Sequence, residues 1–178
     1  MSFKNSSIAL ECLKELLDYD MKSGVFRWRV KPCKNKSIGD VAGTSEKSGY
    51  RKIRILGNVY LEHRLAWFYV NGDWPCGEID HINRCVFDNS IDNLRDVTRS
   101  ENQQNKAVQK NNRSGFKGVS FCNSSNRWRA FIRTNGSNKF LGEFLSAETA
   151  ATAYCAAAKH FHKFNPVKLD GGYSGIVT

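Results

Sequence analysis

Three stretches concentrate side chains able to act on a phosphodiester. They are Gly77-Glu78-Ile79-Asp80-His81-Ile82-Asn83, then Asp88-Asn89 with Ile91-Asp92-Asn93-Leu94-Arg95, then Ser100-Glu101-Asn102. Hydrolysis needs a base that deprotonates water near neutral pH, a role suited to imidazole with its ordinary pKa of about 6.5. It also needs charge neutralised on the phosphate and the leaving oxygen, which a divalent cation provides. Magnesium takes oxygen ligands and keeps several waters, so one carboxylate and one amide oxygen suffice as protein ligands. Asp80, His81 and Asn102 supply one of each part. Taken singly, each has a plainer reading. An Asp-His pair is commonly structural, Asn89 and Asn93 suit turns, Asn102 suits a helix start, and Asp88 and Asp92 suit loops.

These residues need a strand, a loop, a second strand and a helix to position them. Glu78 to His81 reads as the end of one strand and Leu94 to Val97 as the next, with Thr98 or Ser100 capping a helix that carries Asn102. Such a hairpin packed on the helix would bring Asp80 and Asn102 around one ion. Neighbours on a strand point to opposite faces, so Asp80 and His81 serve one site only from opposite sides or through a local irregularity. Upstream, Ala9 to Leu17 has helical apolar spacing, and Val25 to Val30 is an aromatic-basic strand. In Tyr50 to Leu56, Ile53 and Ile55 share one face and Lys52 and Arg54 the other. Gly57-Asn58 signals a hairpin turn into Val59-Tyr60-Leu61, and His63 to Val70 is a helix stopped by Gly72.

The run from His63 to Asn105 resembles the His-Asn-His endonucleases, the ββα-metal nucleases, and especially homing enzymes of phages and introns. The elements that carry the resemblance are His63-Arg64-Leu65-Ala66-Trp67, Gly72-Asp73-Trp74-Pro75, Ile79 to Asn83, Asn93-Leu94-Arg95 and Ser100-Glu101-Asn102. Tyr19-Asp20, Gly24, Val41-Ala42-Gly43 and Gly49-Tyr50 also look familial. The resemblance implies that His81 is the general base and Asp80 a metal ligand. Asn93 would be the middle Asn that holds the loop and orients His81. Asn102 would be the second metal ligand, where many relatives have His. An amide oxygen is a harder ligand than imidazole, which favours one magnesium or manganese ion over zinc or nickel. The family also implies 5′-phosphate and 3′-hydroxyl products. Arg64, Arg84, Arg95 and Arg99 are candidates for positioning phosphates, and His63 is expected to be structural.

A second pattern follows. Lys117 to Phe121, Arg127 to Thr134 and Asn138 to Phe144 suit three antiparallel strands with Asn-, Ser- and Gly-rich turns. Ser146 suits the N-cap of a helix whose Ala147, Ala150, Ala151, Tyr154, Ala157, Ala158 and Phe161 share one face. Alternation puts Trp128, Ala130 and Ile132 toward that helix, and Arg127, Arg129, Phe131 and Arg133 on the outer face. Lys117 and Lys139 are expected to extend that face, which would meet phosphates and guanine edges in a major groove. A solvated basic face is the plainer reading. Residues 114–164 resemble the DNA-binding domain of APETALA and ethylene-response factors. The matching elements are Gly115-Phe116-Lys117-Gly118-Val119, Arg127-Trp128-Arg129-Ala130, Ile132-Arg133, Phe140-Leu141-Gly142-Glu143-Phe144 and Ala147 to Tyr154. Through it, Lys117, Arg127 and Arg133 match contacting positions. Ser120 and Phe140 replace the usual Arg and Trp, so only the docking mode should transfer.

The expected class is therefore α+β, a ββα-metal nuclease module plus a small three-stranded antiparallel sheet packed on one helix. The modules would span residues 1–110 and 111–178, joined by an amide-rich linker over 103–115 that cannot bury a core. The expected function is a metal-dependent DNA endonuclease targeted by the C-terminal sheet. The alternative is a catalytically inactive DNA-binding regulator. The net charge of +10 fits a polyanionic partner, here double-stranded DNA. Residues 111–178 carry +6 and residues 1–110 carry +4, so the shorter segment is the more cationic. Tethering it to the nuclease raises the local DNA concentration. No apolar run approaches the roughly 20 residues of a membrane span, and Met1-Ser2-Phe3-Lys4-Asn5 leads into no apolar stretch of the kind expected of a signal peptide. The six cysteines form no CxxC pair and suit free thiols. The expectation is a cytoplasmic monomer or weak homodimer in a bacterial or phage-infected cell.

Overall fold

The structure is a computed structural model that describes residues 8–106, 108, 111–134 and 136–164. Expectations for Met1 to Asn5, for linker residues 107, 109 and 110, and for residues 165–178 of the second module lie outside the described residues. The fold is α+β, with four α-helices and several small antiparallel sheets among the described residues. By contacts the chain divides after Thr98, twelve residues before the expected boundary at 110.

The first unit opens with α1 (Leu10–Leu16), which runs directly into β1 (Leu17–Asp20) paired with β2 (Val25–Trp28). The α1 periodicity predicts the helix but hides β1, because Leu17 and Tyr19 continue the apolar pattern at a period of two. A three-stranded sheet follows, with β3 (Thr44–Ser45), β4 (Arg51–Ile55) and β5 (Asn58–Leu61) in that order. Ile53 and Ile55 are buried, as their alternation requires. The β4–β5 turn falls one residue earlier than expected. Ile55 pairs with Asn58, so Leu56 and Gly57 form the loop, at φ 49° and 83°. Two positive φ values give the twist that a two-residue hairpin favours, and Leu56 bears the strain of a side chain there.

Helix α2 (Glu62–Asn71) ends at Gly72 in the left-handed conformation. It contributes Leu65, Ala66 and Phe68 to a core with Leu13, Leu17, Phe26 and Ile53. Glu62 is only 1% exposed and forms an ion pair with Arg51 at 2.6 Å, which ties α2 to β4. The ribbon β6 (Glu78–His81) and β7 (Leu94–Val97) completes this unit, with a single 3₁₀ turn at Ile91–Asn93 before β7.

The second unit begins with α3 (Arg99–Asn105). Its sheet has the order β10 (Ser137–Phe144), β9 (Arg127–Thr134), β8 (Val119–Cys122). Helix α4 (Ala147–Phe161) covers one face, capped by the Ser146 hydroxyl, which accepts from the Thr149 amide at 3.2 Å. Ala130, Ala147, Ala150 and Ala151 bring helix and sheet together, and Ile132, Tyr154 and Ala158 extend the contact. Within the expected linker, Asn112 to Gly115 form a local turn. Asn112 Oδ1 accepts from the Ser114 amide and hydroxyl and from the Gly115 amide. All six cysteines are free, and among the described residues no helix is long and apolar enough to cross a membrane.

Candidate functional site

The β6–β7 ribbon keeps the alternation its sequence demands. Asp80 faces Arg95 across the ribbon, and His81 faces Leu94. Both acidic and imidazole groups are buried, Asp80 at 6% exposure and His81 at 4%. A buried carboxylate needs a countercharge. Arg95 supplies it, placing Nε at 2.8 Å and Nη2 at 2.6 Å from the same oxygen, Asp80 Oδ2. Arg95, expected to position phosphate, is therefore found on the candidate metal ligand.

The His81 ring is held by Asn89, whose Oδ1 lies 3.0 Å from Nε2. An amide oxygen only accepts, so the nitrogen facing it carries the hydrogen and Nδ1 keeps its lone pair in the neutral ring. Asn89, which by sequence suits a turn, is thus the side chain on the His81 ring, where the family resemblance implies Asn93. Asn93 makes the loop-holding bonds expected of it: its Oδ1 accepts from the Asn83 amide at 2.9 Å and its Nδ2 donates to the Asp88 carbonyl at 2.7 Å. Asp88 caps the same loop, accepting from Ser90 and Asn83. These bonds hold its carboxyl below the usual range, with Ser90 the largest cause.

The Asn89 loop rests on the β1–β2 hairpin. Tyr19 donates its hydroxyl to the Asn89 carbonyl at 2.6 Å, and the Ile91 amide donates to Met21 at 3.1 Å. Gly24 sits at φ 70°, and a Cβ there would meet the backbone of Asn89 and Ser90 at 2.3 Å. Only glycine allows that approach. Tyr19 and Gly24, singled out from sequence only as familial, thus buttress the residue that orients His81.

His63 lies edge-on to His81, with ring centroids 5.4 Å apart, and beside Tyr50 at 5.2 Å. Burial, with smaller contributions from His81 and Arg64, pushes its pKa down to about 3. It is a neutral wall of the site. Arg64 donates to the carbonyls of Gly77 and Pro75 at 3.0 and 3.3 Å, bracing the turn into β6 rather than pointing a charge outward. Arg84 is half-buried in the β6–β7 loop at φ 63°.

Asn102 and the exposed Arg99 are carried by α3, in the second unit. Among the described residues no group of three or more His, Cys, Asp or Glu is placed to hold a metal ion. In the first unit the buried Asp80 carboxylate is a hard oxygen ligand of the kind magnesium accepts with waters completing its shell.

In the second unit the outer face of the sheet carries Arg127, Arg129, Phe131 and Arg133, opposite the buried Ala130 and Ile132. Two expected members of that face are elsewhere. Lys117 precedes β8, and its Nζ donates to the carbonyls of Gln103, Gln104 and Lys106 at 3.0, 2.8 and 2.8 Å, capping the C-terminus of α3. Lys139 pairs with Ile132 on the helix side, with Nζ 4.5 Å from the centre of the Phe161 ring. The cause is a bulge between Phe140 and Gly142, which shifts every β10 residue before it by one position relative to simple alternation. Arg129 donates from Nε to Glu143 Oε1 at 2.6 Å.

Residues 60–104, from the end of β5 through α2, the ribbon and nearly all of α3, match the family model described as HNH endonuclease. The chain is 36% identical over 75 residues to Protein 3.8 of Escherichia phage T7, covering 42% of this chain and 62% of that protein. It is 29% identical over 127 residues to the Uncharacterized HNH endonuclease L560 of Acanthamoeba polyphaga mimivirus, covering 70% of this chain and 65% of that protein. The chain thus spans less than two thirds of the length of these relatives. No solved structure matches. The similarity to HNH endonucleases thus centres on residues 60–104.

Proposed function

We propose that the protein is a divalent-metal-dependent DNA endonuclease in which His81 is the general base. The observation that carries this reading is the buried imidazole whose Nε2 is fixed by Asn89 Oδ1 at 3.0 Å. That bond selects the tautomer in which Nδ1 takes the proton from an attacking water. Asn93 pins the loop between the two strands, so the ring cannot drift with it. Asp80 is the carboxylate that would hold a magnesium or manganese ion, with Arg95 balancing its charge. Asn102 is the amide that the family resemblance assigns to the same ion. Once bound, the ion would neutralise charge developing on the phosphate and the leaving oxygen.

The second unit is read as an anchor for double-stranded DNA similar to the APETALA and ethylene-response domains. Its sheet presents Arg127 and Arg133, both exposed, to phosphates and base edges. The reading fits a cytoplasmic protein of a bacterial or phage-infected cell.

The test uses a pool of random-sequence duplex DNA with the purified full chain, with magnesium or with EDTA, beside His81→Ala. New ends that require both magnesium and His81, and that sequencing resolves at a shared site, are the expected result. Intact DNA in every arm, with DNA still bound, overturns the nuclease reading in favour of a catalytically inactive DNA-binding regulator.

A further inference from the structure

The outer face of the second unit's sheet is not uniformly basic. At its centre Phe131 and Phe140 pair across β9 and β10 with ring centroids 5.2 Å apart, and Phe140 is 52% exposed. One row along, Arg129 and Glu143 pair across the same two strands. These four side chains line one open cleft of about 480 Å³. In a regular strand Phe140 and Glu143, three residues apart, would point to opposite faces. The bulge between Phe140 and Gly142 puts them together. Leu141 joins the helix-side core and Gly142 adopts φ 137° to allow it.

The phosphate contacts proposed for Arg127 and Arg133 give the half-buried Phe131 and the exposed Phe140 nothing to do. A base edge does. Thymine presents a 5-methyl group in the major groove and guanine presents O6 and N7. A Phe pair offers apolar contact to the first, and an arginine fork bonds the second. The Arg129 fork is oriented in advance, because Glu143 engages Nε and leaves the Nη1/Nη2 edge for an outside acceptor. Successive outward rows on a strand are about 7 Å apart, and base pairs step by about 3.4 Å, so the two features address base pairs no more than two steps apart.

We propose that this cleft makes the protein prefer duplex sites in which a thymine lies within two base pairs of a guanine, the Phe131–Phe140 pair contacting the methyl and Arg129, positioned by Glu143, contacting the guanine. The inference rests on the reading of this sheet as a duplex-DNA surface.

The test selects bound duplexes from a random library with full-length His81→Ala protein, in EDTA. Within the enriched site each thymine is then replaced by uracil, which lacks the methyl, and each guanine by 7-deazaguanine, which lacks N7. One uracil should weaken binding about fourfold and a nearby 7-deazaguanine about tenfold. In a Phe140→Ala background the uracil effect should vanish, and in Arg129→Ala the 7-deazaguanine effect should vanish. Glu143→Ala should shrink the guanine effect and Glu143→Gln should restore part of it. Unchanged circular dichroism checks that each variant is folded. An enriched site without this pairing, or base effects that persist in the matching variants, overturns the inference and leaves DNA binding intact. Equal competition by single-stranded DNA also overturns it. No enrichment and no binding of any duplex overturns the DNA-surface reading beneath it.

Discussion

The first unit buries Glu62, His63, Asp80, His81, Asn89 and Asn93, whereas the second holds Arg127, Arg129 and Arg133 on the outer face of a sheet whose other side packs on alanines. The contrast matches the roles proposed for the two regions. A general base must keep one tautomer and one orientation, and a low-dielectric setting with fixed partners achieves that. The cost is that every buried polar group must be satisfied. A recognition surface needs groups that exchange water for DNA, so its side chains must stay accessible and contribute little to folding. Substitutions should therefore damage folding or chemistry in the first unit and only binding on the outer face of the second.

The sharpest test of that contrast is Arg51→Met, which leaves the buried Glu62 without its countercharge. Burial already raises the Glu62 pKa, with Arg51 opposing the rise. Loss of about 3 kcal/mol in chemical denaturation is expected, and an unchanged midpoint would break the picture of a costly polar interior. Asn89→Ala comes next. The Tyr19 anchor uses the Asn89 carbonyl and survives, so the fold should persist while kcat falls about 10- to 100-fold. Undiminished cleavage would remove Asn89 from the site.

The third prediction concerns pH. His63 has an ordinary pKa of 6.5 when unfolded and about 3 when folded. The unfolded chain therefore binds one more proton than the folded chain between those values. Stability from this group is complete above pH 6.5 and is lost as pH falls toward 3, by up to about 1.4 kcal/mol per pH unit. His63→Phe should flatten that part of the stability–pH curve. The smallest effects lie in the second unit. Lys117→Ala, which uncaps α3, should cost about 1 kcal/mol. Arg127→Ala should change stability by less than about 0.5 kcal/mol while lowering the salt slope of DNA binding by about 1. Equal destabilisation by the two would erase the distinction between the lysine turned inward and the arginine turned outward.

Much of this was legible in the chain itself, because the governing signals are local. Alternation placed Ile53 and Ile55 inside and Arg127 and Arg133 outside, Gly72 and Ser146 marked helix ends, and Asp80-His81 fell on a strand end. Tertiary structure decided what depends on distant partners. Asn89 acquired the His81 ring because Tyr19 and Gly24, some 70 residues earlier, fix its loop. Lys117 left the outer face for the carbonyls of Gln103, Gln104 and Lys106 at the C-terminal end of α3. One bulge in β10 sent Lys139 to the helix and brought Phe140 beside Glu143. Periodicity reports which way a regular chain turns each side chain. It carries no information about where the chain breaks that regularity, or about which remote group satisfies a polar atom once it is buried.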